Sequence, residues 1–115
     1  MKEVTDFDEN TTLTYTVGSG NMTIVKQPVA YKVVKVTLTA GSYEMSFASA
    51  TESYANLYLY STMVGGKGSG AVKIGTSSFI YNSSTTPKTG TFTIDTAGTY
   101  YIATTYSCSF SIVAK

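Results

Sequence analysis

The chain reads as an all-β protein, an antiparallel two-sheet β-sandwich of jelly-roll-like type with eight to ten short strands. Three observations predict it. Apolar and polar residues alternate along most of the 115 residues, and no window with helical i, i+3, i+4, i+7 spacing outscores that alternation. The residue supply suits a pleated surface: 20 Thr, 10 Tyr and 5 Phe are types whose branched or flat side chains lose little freedom in a strand. Turn-forming Gly, Ser and Asn recur about every ten residues, the spacing of short strands in a sandwich.

The elements follow in order. Two strands are expected near Thr12–Val17 and Met22–Lys26, within an N-terminal arm of residues 1–30. The core of the single domain, residues 31–113, begins with a strand at Tyr31–Thr39, where Val34, Val36 and Leu38 share one face and Lys35 and Thr37 the other. Ser42–Ala48 points Tyr43, Met45 and Phe47 inward and leaves Glu44 and Ser46 in water. Ala55–Thr62 points Leu57 and Leu59 inward, and Asn56, Tyr58 and Tyr60 outward. Further strands are expected at Ala71–Ile74 and Ser78–Asn82. The last three are Gly90–Asp95 (Phe92 and Ile94 inward), Thr99–Thr105 (Tyr100 and Ile102 inward, Tyr101 outward) and Cys108–Ala114 (Cys108, Phe110 and Ile112 inward). Two stretches read as flexible connections: Val64–Gly70, with four Gly in seven residues, and Asn82–Lys88. One domain of this length has a radius of gyration of about 13 Å.

Composition removes much chemistry. The chain has no His, so it has no Ser-His-Asp or Cys-His machinery and no imidazole metal ligand. All eight basic residues are Lys, and a net charge of +1 is too small for a nucleic-acid footprint. The single Cys excludes an internal disulfide and a thiolate zinc site. Cys108, on the inward parity of its strand and with no basic neighbour, reads as a small core hydrophobe and not as a reactive thiol. No apolar run approaches the ~20 residues of a membrane-spanning helix, so no membrane insertion is expected. The N-terminus lacks the basic start and apolar stretch of a signal peptide. The glycine-rich stretch lacks the GxxxxGK[ST] spacing of a phosphate loop.

Thr39-Ala40-Gly41-Ser42-Tyr43 recurs as Thr96-Ala97-Gly98-Thr99-Tyr100. The echo predicts two equivalent corners in which Gly41 and Gly98 permit a left-handed or close-packed turn. Tyr43 or Tyr100 then caps an end of the sandwich, its hydroxyl reaching a backbone group. These segments, with Asn56-Leu57-Tyr58-Leu59-Tyr60 and Tyr100-Tyr101-Ile102, resemble the bacterial pre-peptidase C-terminal domain family over roughly Tyr31 to Val113. The resemblance implies a jelly-roll accessory module of secreted enzymes or adhesins. Such a module binds carbohydrate, protein surfaces or Ca²⁺ and catalyses nothing. The acidic pair that often precedes the family's L-Y-L strand is here Tyr54 and Asn56, a departure that weakens a family-style Ca²⁺ site.

Candidate sites are few. Asp6, Asp8 and Asn10 stand at positions 1, 3 and 5 of a calcium-loop template, but Thr11 and Val17 occupy its required Gly and Glu positions. An EF-hand is excluded and only a looser Ca²⁺ site stays open. Glu44, Glu52 and Asp95 are the carboxylates available for glycoside hydrolysis. The first faces water, the second sits in a loop, and Asp95 reads as a turn residue, so an enzyme is not expected. Asn10, Asn21 and Asn82 head Asn-x-Ser/Thr sequons.

Tyr58 and Tyr60 face outward on one strand and Tyr101 on another, and if the two strands are close they form an aromatic ribbon flanked by Asn56. Three uses fit it: mutual cross-strand packing, a protein interface, or a platform on which a sugar lays its C–H face. The expected function is therefore an extracellular, non-catalytic binding or adhesion module that contacts glycan or protein through this face. The alternative is a structural subunit of a phage virion or other surface assembly, in keeping with a short chain that starts at Met, and a homo-oligomer fits either reading.

Overall fold

The computed structural model describes residues 7–8, 13–24, 31–50, 54–64, 67–105 and 107–115. They form eleven strands: β1 (Phe7–Asp8), β2 (Thr14–Tyr15), β3 (Met22–Ile24), β4 (Tyr31–Leu38), β5 (Gly41–Ser49), β6 (Ala55–Val64), β7 (Lys67–Ala71), β8 (Ile80–Asn82), β9 (Lys88–Ile94), β10 (Gly98–Thr105) and β11 (Cys108–Ala114). Two sheets pack face to face. The larger runs β1-β4-β10-β6-β7, with β2 also on β4 and β8 also on β6; the smaller runs β3-β11-β5-β9. Among the described residues no helix is present, and the radius of gyration is 13.1 Å. The all-β sandwich expected from the alternation is the fold.

Alternation places the core. Val34, Val36, Leu38, Met45, Phe47, Leu57, Leu59, Ile102, Phe110 and Ile112 are all buried between the sheets, each at the parity the sequence assigns. The chain crosses between the sheets repeatedly: β4 passes to β5 across the gap, β5 returns to β6, and β9 crosses to β10. The two echoed segments are thus both inter-sheet corners. At the first, the Tyr43 hydroxyl donates to the Thr39 carbonyl (2.8 Å) and accepts from the Thr39 amide (3.0 Å). At the second, the Tyr100 hydroxyl donates to the Thr96 carbonyl (2.6 Å). Each ring fills the core while its oxygen satisfies the turn four residues back, so both tyrosines act as caps.

A third tyrosine joins the layers. Tyr15 lies on β2 in the larger sheet and packs its ring 5.1 Å from Phe110. Its hydroxyl donates to the Gly20 carbonyl (2.7 Å) and accepts from the Ile112 amide of the smaller sheet (2.9 Å). The Gly18 amide donates to the Ile112 carbonyl (2.9 Å) alongside it. This clamp orders the segment from Leu13 to Gly20, which has only two strand residues of its own.

Several expectations are corrected. The sheets are not wholly antiparallel: β1 and β2 both pair with β4 in parallel, at Phe7↔Tyr31 and Tyr15↔Val36. The glycine-rich stretch is not one long loop. It includes most of β7, which pairs with β6 at Thr62↔Ser69, Met63↔Gly68 and Val64↔Lys67. The strand expected at Ala71–Ile74 ends at Ala71; Ile74 instead closes a tight turn on Ser77, with Gly75 at φ +70°. Asn82–Lys88 is tied down by the Asn82 amide, which donates to the Phe47 carbonyl (3.0 Å) and the Thr86 carbonyl (2.8 Å). The Ser84 amide in turn donates to Asn82 Oδ1 (3.0 Å).

Gly41 and Gly98 are not equivalent. Gly41 sits at φ +145°, a conformation that L side chains rarely adopt. Gly98 has an ordinary strand φ, and a Cβ added to it meets no atom within 4 Å, so the second corner does not need glycine.

Candidate functional site

The outer face of the larger sheet carries a second apolar cluster. Val33, Met63 and Ala103 are buried there, with Tyr58, Tyr60 and Tyr101 packed against them. Cross-strand register assembles it: Ala103 opposes Val33 on one side and Tyr58 on the other, while Tyr101 opposes Lys35 and Tyr60. Alternation alone would turn Met63 toward the inner core with Leu57 and Leu59. It joins the outer cluster because β6 loses its alternation at Ser61 and Thr62, both exposed. Opposite them lies Gly70, at φ +67°, where an added Cβ would run into the Ser61 hydroxyl.

The ring of Tyr60 has a defined attitude. A Cβ built on Gly68 would fall 2.1 Å from Cδ2 of that ring and 2.4 Å from each neighbouring ring carbon, Cγ and Cε2. The ring therefore lies face-down across the β7 backbone. Glycine at 68 leaves the space that the ring occupies. Tyr58 is parallel to Tyr60 within 3° at a centroid distance of 5.7 Å. Its plane therefore has the same attitude as that of Tyr60, and both rings are half-buried.

The aromatic row extends further than the expected set. Phe79 packs on Tyr58 at 5.4 Å, Tyr81 follows Phe79 at 6.4 Å, and Tyr54 stacks on Tyr81 at 5.1 Å and 23°. Tyr54 and Tyr81 are the most open, at 49% and 45% exposure. Asn56 lies in the row between Thr105 and Tyr81 by register, beside the rings as expected. Phe79, Tyr81 and Tyr54 were not assigned a face from the sequence, although the signal was there. Inward Ile80 turns both its neighbours outward, and Tyr54 has the parity of Asn56, Tyr58 and Tyr60.

The row leads to a cleft of about 280 Å³ lined by Ile74, Thr76, Phe79, Tyr81, Lys88 and Gly90, among others. It opens between β8 of one sheet and β9 of the other. Gly90 keeps the cleft floor low: an added Cβ would press on Ile74 Cγ2 at 2.7 Å. The ammonium of Lys88 stands 4.5 Å from the centre of the Tyr81 ring, a cation-π distance. Burial raises the Tyr60 hydroxyl's pKa, and Tyr58 beside it adds to the rise, so the Tyr60 phenol keeps its proton and can donate.

Among the described residues, the remaining candidates Asp95 and Glu44 do not converge. Asp95 is exposed in the β9–β10 turn and lines a separate cleft of about 310 Å³ with Lys73, Ser61 and Thr96. Glu44 is on β5, opposite Thr91 and Val113, and does not line that cleft. Glu52, Asp6 and Asn10 lie outside the described residues, and Asp8 is described only as a β1 residue paired with Lys32. Among the described residues no three His, Cys, Asp or Glu side chains gather as metal ligands. Asn82 cannot serve as a glycosylation acceptor while its amide holds the Phe47 and Thr86 carbonyls. Asn21 is exposed, and Asn10 is outside the described residues.

Cys108 is fully buried, and burial pushes its thiol up to about 11, the Thr104 hydroxyl beside it working the other way.

No protein-family model, curated protein or solved structure matches the chain, and nothing in those comparisons identifies a pre-peptidase C-terminal domain.

Proposed function

We propose that the chain is a non-catalytic binding module whose outer aromatic row docks a carbohydrate chain. The observation that carries the reading is the attitude of the Tyr58 and Tyr60 rings. Rings that stood on edge would offer a sugar only their rims. Tyr60 lies flat over Gly68, Tyr58 is parallel to it, and both pack on the Val33–Met63–Ala103 cluster while staying only half-buried. A pyranose presents C–H groups from one face and hydroxyls around its edge. The first suit a ring face, and the second suit the amide of Asn56 and the Tyr hydroxyls. Preorganised rings lose little freedom on binding, which favours a modest but usable affinity. Cross-strand packing, the plainer use of such tyrosines, accounts for the Val33 cluster beneath the rings and for the Tyr54–Tyr81 stack, but it still leaves Tyr54 and Tyr81 nearly half exposed. A polysaccharide ligand fits a site of action at a cell surface or outside the cell.

Affinity electrophoresis in native gels cast with different polysaccharides tests this. The parent chain is expected to be retarded by at least one of them. The Tyr58→Ala/Tyr60→Ala double variant is expected to run free in that gel with an unchanged circular dichroism spectrum. A folded double variant retarded like the parent would overturn the reading, as would a parent retarded by no polysaccharide.

A further inference from the structure

We infer that the carbohydrate read by the aromatic row is acidic, and that the cleft at Lys88 is the subsite that receives its anionic group. The inference rests on the docking reading above and adds the charge of the ligand. Three observations carry it.

The aromatic row is bracketed by cations. Lys88 overhangs Tyr81 at one end, and Lys35, exposed on β4, is the cross-strand partner of Tyr101 at the other. Among the described acidic residues, Glu44 lies on β5 of the smaller sheet, Asp95 in the β9–β10 turn and Asp8 on β1 at the edge of the larger sheet; none of the three lines the Lys88 cleft. Charge complementarity at the cleft therefore selects an anion there.

The cleft is shaped for a substituent on a sugar. At about 280 Å³ it is at the small end of ligand sites, which run to ~1,000 Å³, so it takes one ring or one charged group while the chain continues over Phe79 and Tyr58. Its lining combines the aromatic residues Phe79 and Tyr81, the hydroxyl-bearing residues Thr76, Ser77 and Thr89, and Lys88.

The cation is held in place. Lys88 begins β9, pairs with Phe47 in the smaller sheet, and rests its ammonium on a ring that belongs to the larger sheet. The Tyr81 ring limits the positions of an otherwise mobile four-carbon arm, so an arriving carboxylate or sulfate meets a positioned donor. With a net charge of only +1, the chain has little general attraction for polyanions, so retention by them must come from a local site.

The test uses the full chain in native gels containing polygalacturonate, heparin, hydroxyethylcellulose or dextran. Retardation by the acidic polymers and not by the neutral ones is expected. Polygalacturonate alone would assign a carboxylate ligand, and heparin alone a sulfate. Lys88→Gln is expected to weaken retention about tenfold, the loss of one charge-assisted hydrogen bond, and Lys88→Arg to restore most of it. Lys73→Gln, the same charge change in the other cleft, is expected to change retention less than twofold. If neutral polymers retard the chain through Tyr58 and Tyr60 while Lys88→Gln has no effect, the charge assignment fails and the docking reading survives. If Lys73→Gln matches Lys88→Gln, the cleft is not the subsite. If no polymer of either kind retards the parent, both fall.

Discussion

Along β6, neighbouring residues serve two different interiors. Leu57 and Leu59 point between the sheets and are fully covered, whereas Tyr58 and Tyr60 point out and are only half-buried. The inner face is aliphatic and closes against a second sheet. The outer face is aromatic and closes against its own strands, over Ala103, Met63 and Gly68. The same two-residue period builds both, so the difference lies in what covers them. A layer covered by another layer contributes stability, while a layer that covers itself leaves surface to use.

The largest expected effect would break that contrast outright. Leu57→Ala opens a cavity between the sheets and should cost about 3 kcal/mol. Tyr58→Ala, one residue along, should cost about 1 kcal/mol. Chemical denaturation of the two variants checks the ratio, and equal losses would make the outer cluster a structural core in its own right. Tyr15→Phe comes next. It strips the Ile112 amide of its partner inside the sandwich and should cost about 2 kcal/mol, more than Tyr100→Phe, whose partner at Thr96 is only partly buried.

The corners sharpen the comparison at a smaller scale. Gly41→Val forces a side chain into φ +145° and should cost about 1–3 kcal/mol. Gly98→Val should change stability by less than about 0.5 kcal/mol. The smallest effect is one of pH. The Cys108 thiol titrates near 9.0 in the unfolded chain and near 11 in the folded one, so the unfolded state releases its proton first as pH rises. Stability contributed by the neutral thiol is full below pH 9, declines above it, and stops declining past about 11. Cys108→Ala should flatten that part of a stability–pH curve measured by urea denaturation.

How far the sequence carried these conclusions differs between the two faces. The inner one was legible because burial enforces strict parity: a one-residue slip would expose Leu57, Phe47 and Phe110 together. The paired corners were legible too, since a threonine and a tyrosine four residues apart were repeated intact. Only Gly98 misled, while Gly41 takes the positive φ expected of it. Residue type permits a left-handed backbone at Gly98, but neighbours decide whether it is used. The outer face was half legible. Tyr58, Tyr60 and Tyr101 followed from parity, but Phe79, Tyr81 and Tyr54 join them through the pairing of β8 with β6, a contact between segments some 25 residues apart in sequence. The glycine-rich stretch was misread for a related reason. Glycine signals freedom in isolation, and here Gly68 signals the approach of a ring that sequence order does not reveal.

Cys108 has a practical consequence. The sole sulfur nucleophile in the chain is sealed inside the sandwich and holds its proton through the range where maleimides are used. A cysteine introduced at an exposed position such as Ser69 or Thr62 would therefore be the one that reacts. A fluorophore could be placed beside the tyrosine surface without first removing the native thiol.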